Sequence, residues 1–365
     1  MSNPDMHEAD FDEGTEVKLK IFNQYLNQWI PVFPKSRARQ IQVCDYFSGP
    51  GHDASGTLGS PMIALNVVKG HRGTLGTAGT RVILRFNDID QNKASTLGQV
   101  LKAEIDANAL GGLVDLQITS QDFSQIFDQE ANAIERNSIP SFIFIDQYGI
   151  KYVTEAVFSR LCRLQRTDFM FFISSSHIKR FCQQDEFLKY HPKISRNVMM
   201  ECKNDHIHRE ICKYYQDMVP SGCETKLYPF TIKKNGNVYG LIFCTSHPLG
   251  AEKFINVAWD ENDQNGEANF DLDEDEQKSQ LYIFGEKRPT KIESFSQRLK
   301  ALFLAGTFTT NKEAYWMCLQ EGMRPSLGKE VIAAMIGAKE IRGSKVFGMS
   351  FKTILKENKV VTFTR

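Results

Sequence analysis

The residues best suited to binding a ligand follow an apolar run near residue 43. The run ends in Asp45, and Phe47, Gly49 and Gly51 follow in the spacing Asp-x-Phe-x-Gly-x-Gly. Glycine allows a sharp turn and a close approach of the backbone to a ligand, and an aspartate carboxylate accepts hydrogen bonds from N–H-bearing or cationic groups. The pattern therefore predicts a β-strand followed by a loop that contacts a nucleotide-like cofactor through these four residues.

The spacing of this loop disfavours a dinucleotide as the ligand. Pyrophosphate-binding loops carry Gly-x-Gly-x-x-Gly, in which the second glycine makes room for phosphate. The segment 45–51 instead resembles the first motif of S-adenosylmethionine-dependent methyltransferases, in which the loop cradles a methionine tail. This resemblance implies S-adenosylmethionine as the cofactor.

Further acids follow the next two predicted strands, 82–86 and 114–118. Asp88 and Asp90 come after the first of these strands, and Asp122 comes after the second. In a methyltransferase of this kind Asp88 would lie beside the ribose diol, and Asp122 could accept a hydrogen bond from the adenine amino group. Each acid has a structural alternative, because aspartate is favoured at helix N-caps. Asp90 fits a cap better than Asp88 does, and for Asp122 both interpretations stay open.

The fourth predicted strand, 142–145, leads directly to Asp146, Gln147 and Tyr148. Substrates of open α/β sheets bind beside the carboxyl ends of the strands, so we predict that Asp146 and Tyr148 orient the methyl acceptor. In amino-methylating enzymes the acid is followed by prolines and an aromatic residue, whereas here Gln147 takes the place of the first proline. In the alternative interpretation, Asp146 accepts hydrogen bonds from backbone N–H groups of the turn.

The elements around these residues alternate between buried-looking strands and helices. Five strands are predicted at 41–47, 82–86, 114–118, 142–145 and 169–173, and an Asn-Gly turn joins two more at 227–233 and 238–244. Helices between apolar strands indicate a parallel sheet covered on both faces, and Asn-Gly between strands indicates a hairpin. We therefore predict an α/β fold of the class I methyltransferase type, Rossmann-like, with seven strands.

Two helices and a crossover complete the predicted α/β domain. Apolar residues from Phe22 to Trp29 share one face of a helix that should pack on the sheet as an N-terminal cap. Ser60 and Pro61 suit the N-cap and first turn of another helix. The glycines from Gly70 onward favour a flexible crossover to the second strand.

Composition limits the class of protein. With 365 residues, 41% of them hydrophobic and 24% charged, the chain is expected to hold more than one folded domain. No apolar run is long enough to span a membrane, and no signal peptide is evident, so we predict a cytoplasmic protein that does not bind membranes. The eight cysteines include no Cys-x-x-Cys pair, so reduced thiols and no metal site are expected. His206 and His208 are predicted on an exposed segment.

The formal net charge of zero hides a basic C-terminal region. Residues 291–365 hold 13 Lys and Arg against 6 Asp and Glu, a net charge of +7. Three short helical patterns and a strand at 360–363 suggest a winged helix-turn-helix, a module that usually lays one helix in the DNA major groove. The predicted nucleic-acid contacts are Arg324, Ser326, Lys329, Lys339 and Arg342. Dimerisation or protein docking is the alternative use of such a module.

These segments together resemble the bacterial three-Cys-motif partner proteins. The matching stretches are 25–31, 45–51 with 59–61, 144–149 and, in the tail, 310–325. The resemblance implies a methyltransferase-like domain, an attached winged-helix domain and a partner with three clustered cysteines, of an iron–sulfur, radical type. The predicted limits are 1–36 for an acidic leader and cap helix, 37–260 for the α/β domain, 261–290 for an acidic linker and 291–365 for the winged helix.

Two hypotheses about function follow. In the first, the chain is an S-adenosylmethionine-dependent methyltransferase that acts on DNA or RNA and works with the three-Cys-motif protein. In the second, it is a non-catalytic adaptor that keeps the sheet as a scaffold and brings that partner to nucleic acid. The absence of prolines after Asp146 favours the second hypothesis.

Overall fold

The structure is a computed structural model that describes residues 11–147, 149, 151–234, 236–275 and 289–365. The chain divides into two compact units, Met1–His247 and Pro248–Arg365. Tyr148 and residues 276–288 of the predicted acidic linker lie outside the described residues. The finer domain limits at residues 36, 260 and 290 stay predictions.

The first unit is built on one seven-stranded sheet. Its strands are β1 (Gln40–Asp45), β2 (Arg81–Asn87), β3 (Val114–Thr119), β4 (Ser141–Ile145), β5 (Thr167–Ile173), β6 (Lys226–Lys234) and β7 (Asn237–Thr245). Their order across the sheet is β3-β2-β1-β4-β5-β7-β6. The first five strands are parallel, and β7 pairs antiparallel with both β5 and β6. This is the strand order of class I methyltransferases, so the predicted sheet and its hairpin are confirmed.

Alternating residues of the central strands pack against different layers of helices. The first helix, α1 (Glu13–Trp29), begins at Asp12, whose side chain accepts a hydrogen bond from the Thr15 N–H. The ring centroid of Phe22 lies 5.9 Å from that of Phe142 and 4.7 Å from that of Phe144. Because successive side chains of a strand point to opposite faces, Ile143 and Ile145 instead join the apolar cluster on the other face. The predicted packing of the N-terminal helix on the sheet is confirmed.

Buried hydrogen bonds fix α1 at its C-terminal end. Tyr25 Oη and Trp29 Nε1 both donate to Asp168 Oδ2, at 2.8 and 3.0 Å. Burial raises the pKa of the Asp168 carboxyl, while its hydrogen bonds to Thr245, Tyr25 and Trp29 oppose that change. Unpaired buried polar groups are costly, so these bonds set the position of α1 on the sheet.

The prediction of a flexible crossover before β2 is wrong, because this segment is helical. The crossover contains α3 (Ser60–Gly70) and α4 (Arg72–Ala78), and Gly79 ends α4 with a φ of +66°. Glycine adopts that left-handed conformation without a steric cost. The predicted role of Ser60 is also wrong, since Gly59 is the N-cap and the Ser60 hydroxyl donates to Asp45 instead.

The first unit contains eight further α-helices among its described residues. They are α2 (Val32–Lys35), α5 (Gln91–Ala107), α6 (Phe123–Asn137), α7 (Glu155–Arg163), α8 (Ser175–Phe181), α9 (Asp185–Tyr190), α10 (Arg196–Glu201) and α11 (Ile207–Asp217). His208, predicted on an exposed segment, is instead fully buried in α11. Its Nδ1 lies 2.7 Å from Thr231 Oγ1, so a hydroxyl partner makes its burial tolerable.

The described part of the second unit contains four α-helices, α12 (Pro248–Glu261), α13 (Lys291–Ala305), α14 (Asn311–Gln320) and α15 (Pro325–Gly337), and a π-helix at Lys352–Lys356. A capping box between Thr310 and Glu313 begins α14. The predicted strand 360–363 is wrong. Within the described residues this stretch forms isolated bridges, from Thr310 to Thr362 and from Arg342 to Thr364. The winged-helix assignment stays a prediction.

None of the helices in the described part of the chain combines the length and apolar character needed to cross a membrane.

Candidate active site

A cavity of about 630 Å³ opens at the carboxyl ends of the parallel strands. Its volume is within the usual range for small-molecule sites, about 300–1,000 Å³. The residues after β1, β2, β3 and β4 all contribute to its wall, and they include Phe47, Ser48, Gly51, Asp88, Asp122 and Asp146. The structure therefore brings together most of the residues that the sequence proposes for cofactor and acceptor.

The loop after β1 is held against the end of β2. Gly49 and Gly51 have φ values of +58° and +94°, which favour glycine. The Gly49 N–H donates to Asp88 Oδ2 at 2.9 Å, and the Ser48 N–H donates to the Asn87 carbonyl at 3.0 Å. A side chain at residue 51 would also come within 2.8 Å of Leu97 Cδ1. The loop backbone thus favours glycine at both positions, as the sequence predicts. Of these two predicted cofactor contacts, Gly51 lines the cavity and Gly49 does not.

Asp45 does not line the cavity, and this differs from its predicted contact with the cofactor. It is fully buried, and its carboxylate accepts hydrogen bonds from Ser60 Oγ at 2.5 Å and from the Phe47 N–H at 3.0 Å. Burial raises the pKa of Asp45 to about 7, against the opposing effect of the Ser60 and Phe47 hydrogen bonds. Asp45 therefore acts on the loop by joining β1 to the start of α3.

The raised pKa of Asp45 predicts a pH-dependent stability. The folded state holds the proton up to about pH 7, while the unfolded carboxyl has a pKa of 3.8. The resulting stabilisation is complete below the unfolded pKa and is lost as the pH rises through 7, at up to about 1.4 kcal/mol per pH unit. Asp45→Asn should remove this contribution, so the free energy of unfolding measured in urea should change less between pH 5 and 8 than in wild type. Equal changes in both proteins would contradict the assignment.

The acids after β2 and β3 divide between helix capping and the cavity. The predicted cap is confirmed at Asp90, whose side chain accepts hydrogen bonds from the Asn92 and Lys93 N–H groups. Asp88 lines the cavity, and Asp88 Oδ1 accepts from the Asp90 N–H at 2.9 Å. Asp122 does both, since it lines the cavity and also caps α6 through Ser124. The Ser124 hydrogen bonds lower the pKa of Asp122, which keeps a negative charge at this end of the cavity.

Gln121 is a cavity residue that the sequence analysis did not select. Its side-chain oxygen Oε1 is buried and has no hydrogen-bond donor among the described residues, although the side chain borders the cavity. A buried carbonyl oxygen without a donor is unfavourable. A ligand N–H group in the cavity would satisfy it. No sequence pattern separates this glutamine from a surface one.

Aromatic side chains form one wall of the cavity. The Phe47 ring stacks on Phe123, with centroids 5.3 Å apart and an interplanar angle of 25°. Tyr152 lies 5.0 Å from Phe47 and 5.5 Å from Phe123. All three residues border the cavity, so they give a planar ligand an apolar surface to pack on.

Asp146 is paired with a lysine that the sequence analysis missed. Lys18 Nζ in α1 donates to Asp146 Oδ2, and both residues line the cavity. The Lys18 side chain is 3% exposed and that of Asp146 is 23% exposed. Lys18 Nζ also lies 4.7 Å above the centroid of the Phe172 ring, an arrangement that favours a cation. The site thus presents an ammonium donor and a carboxylate acceptor side by side.

Lys18 could have been identified from its position in the helix. It lies four residues before Phe22 and seven before Tyr25, and this spacing places it on the buried face of α1. A lysine on such a face needs a partner, because buried charges are otherwise strongly disfavoured. What the sequence did not contain was the identity of that partner, 128 residues away.

Gln147 performs the structural role that one interpretation gave to Asp146. Its Oε1 accepts from the Tyr152 N–H at 2.9 Å and the Val153 N–H at 3.3 Å, and Nε2 donates to the Phe172 carbonyl. This buried amide shapes the turn after β4 at the place where the related motif has proline. Tyr148, the other predicted acceptor contact, lies outside the described residues.

Solved structures that are similar to this chain include two methyltransferases of low sequence identity. The first is Trm1 from Pyrococcus horikoshii in complex with S-adenosyl-L-methionine, with 12% identity, a TM-score of 0.38 and coverage of 70% of this chain and 61% of that one. The second is a SAM-dependent methyltransferase from Aquifex aeolicus, with 11% identity, a TM-score of 0.27 and coverage of 64% of this chain and 99% of that one. This chain therefore spans less than two thirds of the Trm1 chain. No protein-family model and no curated protein matches the sequence.

The five residues of the second unit that were predicted to contact nucleic acid differ in their exposure and in their contacts within the protein. Arg324 is engaged, because it donates to Asp260 and, at 2.9 Å, to the Asn256 carbonyl. The other four residues are exposed, namely Ser326, Lys329, Lys339 and Arg342. Lys329 Nζ lies 5.9 Å from the centroid of the Phe347 ring. For the four exposed residues, contact with nucleic acid stays a prediction.

Proposed function

We propose that this chain is an S-adenosylmethionine-dependent methyltransferase that acts on nucleic acid together with a three-Cys-motif partner protein. One observation carries the proposal: the ends of β1 to β4, in the strand order of class I methyltransferases, contribute to a single cavity with a glycine loop on one side and carboxylates on the other. Ligands of open α/β sheets bind at this edge.

The residues of the cavity fit such a cofactor. Asp88 has a carboxylate on the cavity wall for the ribose hydroxyls, and the buried Oε1 of Gln121 needs a donor such as the adenine amino group. Phe47 and Phe123 offer stacked rings to a planar base. S-adenosylmethionine, when bound, supplies an electrophilic methyl group.

Lys18 and Asp146 would orient the methyl acceptor. The carboxylate can accept a hydrogen bond from an acceptor N–H, and the ammonium can donate to a neighbouring ring nitrogen or carbonyl. Such a pair recognises the edge of a nucleobase, which presents a donor beside an acceptor. Holding the acceptor in this way contributes to the rate by proximity and orientation.

Calorimetric titration with S-adenosylmethionine tests the proposal. We expect saturable one-site binding by the wild-type chain, and transfer of labelled methyl groups to RNA or DNA in the presence of the partner. Titration with ATP and NAD is the control, because the loop spacing disfavours phosphate ligands. No heat of S-adenosylmethionine binding, with or without nucleic acid, would contradict the proposal.

A non-catalytic adaptor is the second candidate function, and the Lys18–Asp146 ion pair is what favours it. The carboxylate that would hold the acceptor already has a cationic partner, and Gln147 occupies a structural position in place of proline. In this case an Asp146→Asn variant that folds should keep full biological activity with the partner, whereas the methyltransferase loses it.

A further inference from the structure

A band of cations lies at the amino-terminal ends of the parallel strands, opposite the carboxyl ends where the cavity opens. Residues at or just before the starts of β1, β2 and β5, together with the end of α2 and the start of α4, carry exposed basic side chains. This band, called the basic edge below, consists of Lys35, Arg37, Arg39, Arg72, Arg81 and Arg166.

The strand register brings the basic edge together. The Arg81 N–H donates to the Arg39 carbonyl at 2.9 Å, and the Ser141 N–H donates to the Arg166 carbonyl at 3.1 Å. These contacts lie at the starts of β2, β1, β4 and β5, which are consecutive in the sheet. Because neighbouring strands are about 4.8 Å apart, the row from Arg81 to Arg166 spans roughly 15 Å. Arg72 and Arg81 also line an open groove of about 650 Å³.

The charges of the basic edge are not neutralised by ion pairs within the described residues. Other arginines of the unit are paired, such as Arg85 with Glu130 and Arg160 with Asp128. The exposed Asp106, two residues before the groove-lining Asn108, offsets part of the positive charge. A concentration of one sign of charge on one face attracts and steers a partner of the opposite sign.

Two of the arginines occupy backbone positions that do not favour them. Arg37 has a φ of +59° and Arg166 a φ of +55°. Glycine or asparagine adopts this left-handed conformation at lower cost than a long side chain does. The turns themselves therefore do not require arginine. The Arg166 guanidinium donates to the Ser138 carbonyl at 3.4 Å, whereas the Arg37 guanidinium has no hydrogen-bond or ion-pair partner among the described residues.

The composition of the basic edge favours phosphate over other anions. Five of its six members are arginine, whose planar guanidinium binds phosphate with two parallel hydrogen bonds. Protein interfaces usually include aromatic or large apolar anchors. Among the described residues, the exposed large hydrophobics are Leu58, Ile89, Val198, Met200, Leu304, Trp316, Val346 and Val360, and none belongs to the segments that form this edge.

We propose that the basic edge binds the sugar–phosphate backbone of a nucleic acid. Strands of five to seven residues separate this edge from the cavity by about 20 Å. If the cavity takes a nucleobase, as in the proposed function, a nucleic acid that also contacts the basic edge must be long or folded. Backbone binding itself does not require methyl transfer.

The double variant Arg37→Gly/Arg166→Gly tests this inference. Glycine suits both left-handed positions, and this gain offsets the greater freedom of the unfolded chain and the lost Arg166–Ser138 hydrogen bond, so the thermal midpoint should stay close to that of wild type. We expect the affinity for a fluorescein-labelled single-stranded 20-mer RNA and for a labelled RNA hairpin to fall at least tenfold by anisotropy. The salt dependence for the single strand should become shallower by about 1.4, since each lost phosphate contact contributes about 0.7.

Lys189→Ala/Lys203→Ala is the matched control, because it removes two exposed charges from the segment between β5 and β6. Its affinity and salt slope should match those of wild type. Unchanged binding by the glycine variant, or no RNA binding by the wild type, would overturn the inference. Displacement of the RNA by polyglutamate at equal charge concentration would assign the edge to an acidic protein instead. Calorimetry with S-adenosylmethionine is separate, so failure of the proposed function leaves the RNA result interpretable.

Discussion

Replacing Asp88 by asparagine is expected to weaken S-adenosylmethionine binding about thirtyfold. The carboxylate lines the cavity at the end of β2, and its two oxygens also accept from the Gly49 and Asp90 N–H groups. A hydrogen bond to a charged group contributes about 2 kcal/mol, which corresponds to this loss of affinity. The amide has a single acceptor oxygen, so the loop after β1 also loses part of its attachment. Calorimetry with S-adenosylmethionine measures the change.

Asp90→Asn is the control for this experiment. Asp90 is two residues away, caps α5 and does not line the cavity. Asparagine is about as good an N-cap as aspartate, so both stability and affinity should be unchanged. If the two variants bind S-adenosylmethionine with equal affinity, Asp88 does not contact the cofactor.

The second large effect is expected at the ion pair between Lys18 and Asp146. Asp146→Asn leaves the almost fully buried Lys18 without its counter-charge, and breaking a buried pair in this way costs about 3 kcal/mol. Lys18→Met should cost less, about 1 to 2 kcal/mol, because Asp146 keeps some contact with solvent. Urea unfolding of both variants gives these values.

The double variant Lys18→Met/Asp146→Asn separates stability from chemistry. We expect its destabilisation to be smaller than the sum of the two single effects by at least about 1 kcal/mol, because neither charge is left unpaired. If Asp146 orients the acceptor, the double variant regains stability but stays inactive in methyl transfer. If the destabilisation of the double variant equals the sum of the two single effects, Lys18 and Asp146 do not stabilise each other. Lys102→Met on the exposed surface of α5 should change stability by less than about 0.5 kcal/mol.

Most of the candidate residues predicted from the sequence lie at the ends of the strands where the cavity opens. Glycines with required left-handed backbones, acids after apolar strands and an Asn-Gly hairpin are local signals, and each has a local physical cause. Asp88, Asp122 and Asp146 accordingly lie where the pattern predicts, on the wall of one cavity. The role of Asp90 as a helix cap was also predictable, because capping involves only the next three residues.

The errors at the site arose where a side chain has a distant partner. Asp45 has the spacing of a cofactor contact, yet Ser60 and the Phe47 N–H use its carboxylate below the cavity wall. Ser60 has the character of an N-cap, yet its hydroxyl donates to the buried Asp45 side chain, and Gly59 is the N-cap. Gln147 differs from the expected proline, and its amide replaces the proline by hydrogen bonding across the turn.

By itself the sequence determined the succession of strands and helices along the chain, the glycine loop and the acids at the strand ends, because hydrophobic periodicity and backbone conformational preferences act over a few residues. The tertiary structure alone decided that Lys18 of the first helix pairs with Asp146 and that six cations meet at the far edge of the sheet. Ion pairing and surface charge depend on distances between chain segments far apart in sequence. Those distances exist only once the apolar faces of the helices and the sheet have packed together.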